Sequence, residues 1–361
     1  MNRKYPYLIA VLLGLLATLA SCSATKDYTL SALEPASVDL ATNITKIGII
    51  NESNTSKKSE YYTRIEQILS AKDHQLQQDG IDAAISGLFD ELVKDQRFDT
   101  VQLIITEVNK SKGLGDTVDT ISWDAIKEIC DANGVDAIFS LAYYEADTQV
   151  SVKKKKIEEQ NMLRQYVKVL GHEITLETLI ENGWRIYDPY NQKVIDELIF
   201  NDQITSTGTG TNEVDALYDI SDRRDAVLDQ SKHSGSSYGL RLLPQEQEII
   251  RDYFVRGSEK LVEAKKLAAE DNWQAAAALW EQEVGNENPK IKAKACYNMA
   301  FYDEMNGKYE EAMEWVVLAY AHDENKYALA YMDILRERIA QNKIVEEQLQ
   351  RSEITASIGL N

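Results

Sequence analysis

Residues that carry most enzymatic chemistry occur in this chain, but their spacing forms no catalytic pattern. The histidines stand apart, with no paired spacing that would place two metal ligands together. No serine lies in a nucleophile-elbow sequence, and no reactive-cysteine motif surrounds the thiols beyond the N-terminus. We therefore predict no catalytic residue, no metal site and no cofactor. The four histidines are His74, His172, His233 and His322.

Two glycine pairs and one arginine pair are the remaining candidates for anion binding. Gly113-Leu114-Gly115 and Gly208-Thr209-Gly210 lack the further glycine and the strand-to-helix context that a phosphate-binding loop needs. The sequence Asp222-Arg223-Arg224-Asp225 could hold a carboxylate or phosphate, but alternating surface charges explain it more simply. We interpret all three as surface or loop features.

Cys22 stands in a different setting from the other cysteines. Arg3 and Lys4 precede an uninterrupted apolar stretch, 8–20, which is too short to cross a bilayer of ~30 Å and has the layout of a secretion signal. The junction Leu19-Ala20-Ser21-Cys22 resembles the bacterial lipobox, in which the thiol is diacylated and the signal is cut before it. The resemblance implies a signal peptide over 1–21 and lipidation at Cys22. An ordinary signal peptide with a chance cysteine is the alternative.

The residues after Cys22 indicate where the protein is held. Residues 22–43 are mostly small and polar, and we predict a tether. Because Ser23 is not the aspartate associated with inner-membrane retention, we expect an envelope protein anchored in the outer membrane, with either face possible. The net charge of −20 disfavours nucleic acid as a partner. Cys130 and Cys296 are expected to be buried core residues.

The segment 44–206 alternates strand and helix signals. The β-branched run 47–50 and the segments 98–106 and 137–144 predict strands, and an apolar stripe over 81–93 predicts a helix between the first two. Ser122 and Gly134 are expected to begin and end a second helix. This order predicts an α/β domain with a partly parallel sheet.

An antiparallel hairpin extends this predicted sheet. Ile174 to Ile186 and Val194 to Ile204 each alternate in polarity, and Asp188-Pro189-Tyr190-Asn191 is a turn signal between them. The order of elements, with Gly134-Val135-Asp136 before a strand, is similar to periplasmic assembly lipoproteins such as the curli-secretion lipoprotein. That similarity implies a binding or assembly domain. We predict a flexible linker over 207–243 because it is rich in Ser, Gly, Asp and Thr.

The C-terminal segment 244–361 has a helical repeat pattern. Small or apolar residues occupy fixed positions on two predicted helices, where close packing of an antiparallel pair requires them. Residues 293–320 closely resemble a tetratricopeptide repeat. A more degenerate copy lies 36 residues upstream, and Pro244 is expected to open a leading helix. The packing residues are Ala264, Trp273, Ala276, Trp280, Met299, Ala300, Gly307, Tyr309, Ala312, Val316 and Ala319, together with Cys296.

The sequence therefore predicts a mixed α+β protein with an N-terminal α/β sheet domain and a C-terminal all-α tetratricopeptide-like domain. A generic helical bundle is the alternative for the second part. We expect a lipid-anchored, non-enzymatic interaction module or scaffold that binds a protein partner through the helical repeats. The alternatives are a glycan- or small-ligand-binding lipoprotein that uses Trp184, Tyr187 and Tyr190, and a hydrolase with an unfamiliar site.

Overall fold

A computed structural model describes residues 24–53, 64–106, 121–160 and 163–358 of the chain. The chain divides into two compact units. The described residues of an α/β unit lie within Ala36–Gln245 and Glu347–Asn361, and those of a helical unit lie within Met1–Pro35 and Glu246–Glu346. A sheet-rich N-terminal region is thus followed by an all-helical C-terminal region, as expected for a mixed α+β fold. Within the described residues no helix combines the length and apolar character needed to cross a membrane.

A five-stranded sheet forms the centre of the α/β unit. Its strands are β2 (Lys46–Asn51), β3 (Thr100–Leu103), β4 (Ala137–Gln160), β5 (Tyr166–Asp188) and β6 (Lys193–Gly210), in the order β3-β2-β4-β5-β6. β2 pairs in parallel with both β3 and β4, whereas β4, β5 and β6 are antiparallel neighbours. The predicted parallel start and antiparallel hairpin are both confirmed.

Two long helices cover one face of this sheet and cross each other at very short range. They are α1 (Arg64–Leu92) and α4 (Arg223–Leu240). A Cβ atom on Gly235 would lie 1.9 Å from the Ala84 carbonyl oxygen, and one on Gly87 would lie 2.0 Å from that of Lys232. Glycine is therefore required on both helices where they cross.

Helix α2 (Trp123–Asn133) begins and ends as its sequence predicts. The Ser122 hydroxyl accepts a hydrogen bond from the Ala125 amide, and Gly134 ends the helix in the left-handed region at φ 66°. The Asp136 carboxylate then accepts the amides of Thr45 and Lys46 at 3.0 and 2.8 Å. The Gly-x-Asp turn thereby fixes the start of β4 beside the start of β2.

The predicted tether over 22–43 is wrong for most of its length. Residues Thr25–Glu34 form strand β1, and Val38 and Leu40 lie in the core of the α/β unit. The missed signal is an alternation in which every second residue is apolar or small and is turned inward. These residues are Tyr28, Leu30 and Ala32.

The predicted linker over 207–243 is also wrong. Strand β6 continues to Gly210, and α3 (Glu213–Tyr218) and α4 follow it. Ser231, Ser234 and Gly235 are buried against neighbouring elements. Because small residues permit close helix packing as well as flexibility, their abundance did not indicate a mobile segment.

The helical unit contains a two-stranded sheet and a series of helices. β1 pairs with β7 (Gln245–Phe254), and the Val255 amide donates to the Ala24 carbonyl oxygen at 3.0 Å. The prediction of a leading helix after Pro244 was wrong, because that segment forms strand β7. The helices are α5 (Glu259–Ala269), α6 (Trp273–Val284), α7 (Pro289–Met305), α8 (Tyr309–Asp323) and α9 (Lys326–Ile358), of which α9 belongs to this unit as far as Glu346.

Helix boundaries in this unit follow local sequence signals. The side chains of Ser258, Asn272 and Asn288 accept N-terminal amides of α5, α6 and α7. The turns between paired helices use left-handed residues, Asp271 at φ 59° and Gly307 at φ 72°. These turns allow α5 to reverse into α6 and α7 into α8.

Candidate functional site

Most of the residues predicted to pack the helical repeat are buried. Trp280 and Ala276 are buried in one core cluster of the helical unit, and Ala300 and Ala312 lie together in another. Tyr309 is half-buried at the start of α8, and Gly307 provides the turn before it. The remaining predicted members are buried as well: Ala264, Trp273, Cys296, Met299, Val316 and Ala319.

The cysteines divide into one outside the described residues and two in the core. Cys22 and its lipobox lie outside the described residues, as do Gly113 and Gly115. Cys130 and Cys296 are free and buried. Burial raises the pKa of the Cys130 thiol to about 12 and that of Cys296 to about 11, so neither is a nucleophilic thiolate at neutral pH.

The aromatic residues proposed for glycan stacking do not form a surface platform. Trp184 is fully buried and stacks on Tyr238 with ring centroids 5.5 Å apart. Tyr187 is fully buried beside Trp123. Of the three, Tyr190 alone is exposed. That part of the alternative was wrong, because the inward parity of β5 places Trp184 in the core.

A groove on the helical unit has the features of a docking site. We call it the β7–α9 groove, and its volume is about 470 Å³. β7 contributes one side, α9 the other, and α7 contributes to the floor. Its principal lining residues are Ile250, Asp252, Tyr297, Tyr327, Tyr331 and Ile334.

The floor of this groove is a fixed polar network. The Tyr297 hydroxyl donates to the Asp252 carboxylate at 2.8 Å, and the Tyr331 hydroxyl donates to Glu304 at 2.6 Å. Arg251 Nε donates to both Glu304 oxygens at 3.0 Å. Burial and the adjacent carboxylates raise the pKa of both tyrosines, so the hydroxyls remain protonated donors.

The rim of the groove is apolar and open to solvent. Ile250, Tyr327 and Ile334 are 68, 46 and 39 % exposed. Lys326 lies over the Tyr327 ring, 5.5 Å from its centroid, and Asp27 adds a carboxylate at the edge. An apolar rim above a rigid hydrogen-bonded floor is suited to binding apolar side chains of another protein.

A buried polar row in the α/β unit was not predicted from the sequence. Glu52 at the end of β2, Ser140 on β4 and Arg185 on β5 are all nearly inaccessible to solvent. Burial raises the pKa of the Glu52 carboxyl, while Ser140, Tyr187 and the Arg185 charge oppose that shift. Arg185 also donates to Glu197 across the sheet at 2.7 and 2.9 Å. The row is nearly inaccessible to solvent among the described residues, and Glu52 Oε1, the Ser140 hydroxyl and one terminal nitrogen of Arg185 have no hydrogen-bond partner there.

Metal-binding groups do not assemble in the described part of the chain. No cluster of three or more His, Cys, Asp or Glu side chains there could hold a metal ion. His172 and His233 lie on different elements, β5 and α4. The β7–α9 groove is one of several concavities in these ranges.

Comparisons with known proteins give a family and no activity. The model of a family described as Domain of unknown function (DUF8603) matches residues 44–254, more than half of the chain. A second model, Domain of unknown function (DUF6340), matches residues 262–337. No curated protein matches the chain.

Solved structures show only distant similarity. The PelC dodecamer from Paraburkholderia phytofirmans is 11 % identical with a TM-score of 0.25, over 60 % of this chain and 96 % of that one. A neuraminyllactose-binding hemagglutinin homolog from Helicobacter pylori is 12 % identical with a TM-score of 0.26, over 64 % and 94 %. These values are too low to support an argument about function.

Proposed function

The chain belongs to the family described as Domain of unknown function (DUF8603), and from that premise we propose that it is a lipid-anchored envelope protein acting as a non-enzymatic interaction module. In this proposal Cys22 carries the lipid in the outer membrane, and the β7–α9 groove binds a protein partner. The observation that carries the proposal is the groove itself. Its apolar rim is exposed although the residues beneath it are held rigidly.

The sequence around Cys22 supports the lipid anchor, and the start of β1 sets how far the helical unit would lie from that anchor. β1 begins at Thr25, three residues after Cys22. At about 3.5 Å per extended residue, the helical unit would start roughly 10 Å from the acylated cysteine. An anchor of two or three acyl chains would therefore hold the helical unit close to the bilayer.

The helix pairs support a repeat of the tetratricopeptide type. α5 with α6 and α7 with α8 each reverse at a left-handed residue, and small residues lie at the crossings. Repeats of this type bind partners through the surfaces that their stacked helices leave open. The groove is such a surface, with β7 as one wall.

A site-specific photo-crosslinking experiment tests the proposal. A photoreactive phenylalanine analogue replaces Tyr327, in the groove, or Leu329, two residues along the same helix and outside it. The two positions are 46 and 49 % exposed, so solvent access is matched. We expect one discrete adduct from Tyr327 in intact envelopes, the same adduct from Ile334, and none from Leu329.

Two results would count against the proposal. Equal adduct yields from Tyr327 and Leu329 would show that the partner contacts the surface of α9 in general and is not bound in the groove. Absence of any adduct at Tyr327 and Ile334, in cells where the protein is present and anchored, would show that the groove has no protein partner.

A further inference from the structure

A two-stranded arm extends from the five-stranded sheet of the α/β unit. Pairing between β5 and β6 ends at His172, whereas β4 and β5 remain paired as far as Gln160 and Tyr166. Residues 153–160 and 166–171 therefore form a ribbon of two strands, which we call the basic arm. Most of its side chains are exposed to solvent.

The basic arm is cationic in a chain that is strongly acidic. Its two segments contain five lysines and two glutamates, whereas the whole chain has a net charge of −20. Lys155 pairs with Glu173, and Lys168 lies 3.9 Å from Glu158. A cationic excess remains after both pairs are counted, because three lysines then stand against one further glutamate. Within the described ranges no carboxylate forms an ion pair with these three, which are Lys153, Lys154 and Lys156.

One face of the arm combines these cations with large apolar side chains. Residues directly opposite each other in the β4–β5 register share a face, so Lys156 lies beside Leu170. Lys154 and Tyr166 lie on the same face, because alternate residues of a strand point the same way. Leu170 and Tyr166 are 67 and 74 % exposed.

The opposite face of the arm is partly closed by its own packing. Ile157 is half-buried and lies over Gly171, where an added Cβ atom would be 2.5 Å from Ile157 Cδ1. Val169, directly opposite Ile157, is half-buried as well. The face with Lys154 and Leu170 therefore presents the larger apolar side chains to solvent.

The size of the arm favours a bilayer over a folded protein as its partner. Two strands of about seven residues give a face of roughly 20 Å by 10 Å, or about 200 Å². A stable protein interface needs about 800 Å² from each partner. A lipid surface has no such requirement, because each cation and each inserted apolar side chain adds its own contribution to binding.

We propose that the face of the basic arm with Lys154, Lys156, Tyr166 and Leu170 binds the anionic head groups of a lipid bilayer. Each cation near such a surface contributes about a fivefold gain in binding, and tyrosine is favoured at head-group level. The rest of the chain is acidic and is repelled by the same surface. The contact thus determines which side of the α/β unit faces the bilayer.

Flotation with phospholipid vesicles tests the proposal on the chain from Ser23 onward. This chain retains every described residue and lacks Cys22, so the result does not depend on the lipid anchor or on the groove. Vesicles of phosphatidylglycerol mixed with phosphatidylcholine are compared with vesicles of phosphatidylcholine alone. We expect binding to the anionic vesicles only, and its loss in about 0.5 M salt. Equal binding to both kinds of vesicle, or none to either, would overturn the proposal.

Two double variants locate the contact. Lys154→Gln with Lys156→Gln is expected to weaken binding to the anionic vesicles roughly thirtyfold, because two cations are lost. Lys127→Gln with Lys343→Gln removes the same charge from exposed lysines of α2 and α9 and is the matched control. All four lysines are exposed, so thermal unfolding should be unchanged. Equal weakening by the two double variants would refute the assignment to the arm.

A fluorescent label reports whether the arm touches the lipid. Cys130 and Cys296 are buried, so an environment-sensitive dye can be attached at Leu170→Cys, with exposed Leu329→Cys of α9 as the control. We expect the dye at position 170 alone to shift to the blue with anionic vesicles. Binding of soluble polyglutamate, without any shift at position 170 on vesicles, would assign the arm to an acidic protein and overturn the proposal.

Discussion

Replacing Glu304 tests whether the floor of the β7–α9 groove is held as the structure indicates. The side chain of Glu304 is 1 % exposed and that of its partner Arg251 is 14 % exposed. Glu304 accepts from Arg251 Nε and Nη2 at 2.9–3.0 Å and from the Tyr331 hydroxyl at 2.6 Å. In Glu304→Gln the guanidinium stays largely buried but loses its counter-charge.

The expected cost is large because the remaining charge cannot reach water. Removing one partner of a buried ion pair costs about 3–5 kcal/mol. We expect the lower end, about 3 kcal/mol, because Arg251 keeps some solvent access and also donates to the Ile250 carbonyl oxygen. Asp333→Asn is the control, because its pair with Arg336 is about 70 % exposed on both sides and should be worth less than ~1 kcal/mol.

Hydrogen exchange detected by mass spectrometry measures this effect locally. The two units need not unfold together, so amides of α7 and of α9 as far as Glu346 are followed separately from those of the α/β unit. A loss of ~3 kcal/mol corresponds to roughly a hundredfold faster exchange in those helices. We expect the double variant Arg251→Met with Glu304→Leu to recover much of the protection. A Glu304→Gln variant that exchanges no faster than Asp333→Asn would refute the reasoning.

Four further predictions concern other parts of the chain. Gly235→Ala should destabilise the α/β unit by about 1–3 kcal/mol in urea, because its Cβ would meet the Ala84 carbonyl oxygen, whereas Gly285→Ala, with open space, should not. Cys130 and Cys296 should be inert to a thiol reagent at pH 8 in the native protein and react in denaturant, since their pKa values are about 12 and 11; rapid native reaction would contradict their burial. Glu52→Gln should raise the free energy of unfolding at pH 7 and have no such effect near pH 3.5. Burial raises the folded pKa of Glu52 above the unfolded value of about 4.3, so the carboxyl destabilises the fold only when it is ionised. A larger gain in stability at acid pH than at pH 7 would contradict this reasoning. Cys22→Ser should abolish metabolic labelling with a radioactive fatty acid and release the protein from membranes, whereas labelling that persists would exclude acylation at this residue.

Sequence patterns were sufficient to predict the elements whose geometry depends only on residues close to them in the chain. The Ser122 side chain caps the start of α2, and the left-handed backbone of Gly134 ends it. Neither feature needs a partner distant in sequence. The β5–β6 hairpin followed from alternation around a turn. In the helical unit, Ala300 and Ala312 could be placed in the core from repeat spacing alone.

Other features depended on partners distant in sequence. The small residues of 231–236 are typical of a linker in sequence, yet Gly235 and Ser236 pack against α1, some 150 residues earlier in the chain. The groove joins β7 to α9, and no local pattern predicts that Ile250 and Ile334 share a surface. Arg223 was assigned to alternating surface charge, yet it is buried against two threonines from neighbouring strands.

The most direct test of the groove as a partner-binding site is the yield of the Tyr327 crosslink when the rim is altered. Ile250→Asp places a charge on a residue that is mostly solvent-exposed, so folding should be unaffected. Val262→Asp, on exposed Val262 of α5 and outside the groove, is the control. We predict that Ile250→Asp reduces the yield at least tenfold while Val262→Asp leaves it unchanged, because a charge replaces an apolar contact of the rim and must be desolvated when the partner binds. An unchanged yield in a folded, anchored Ile250→Asp variant would contradict the account.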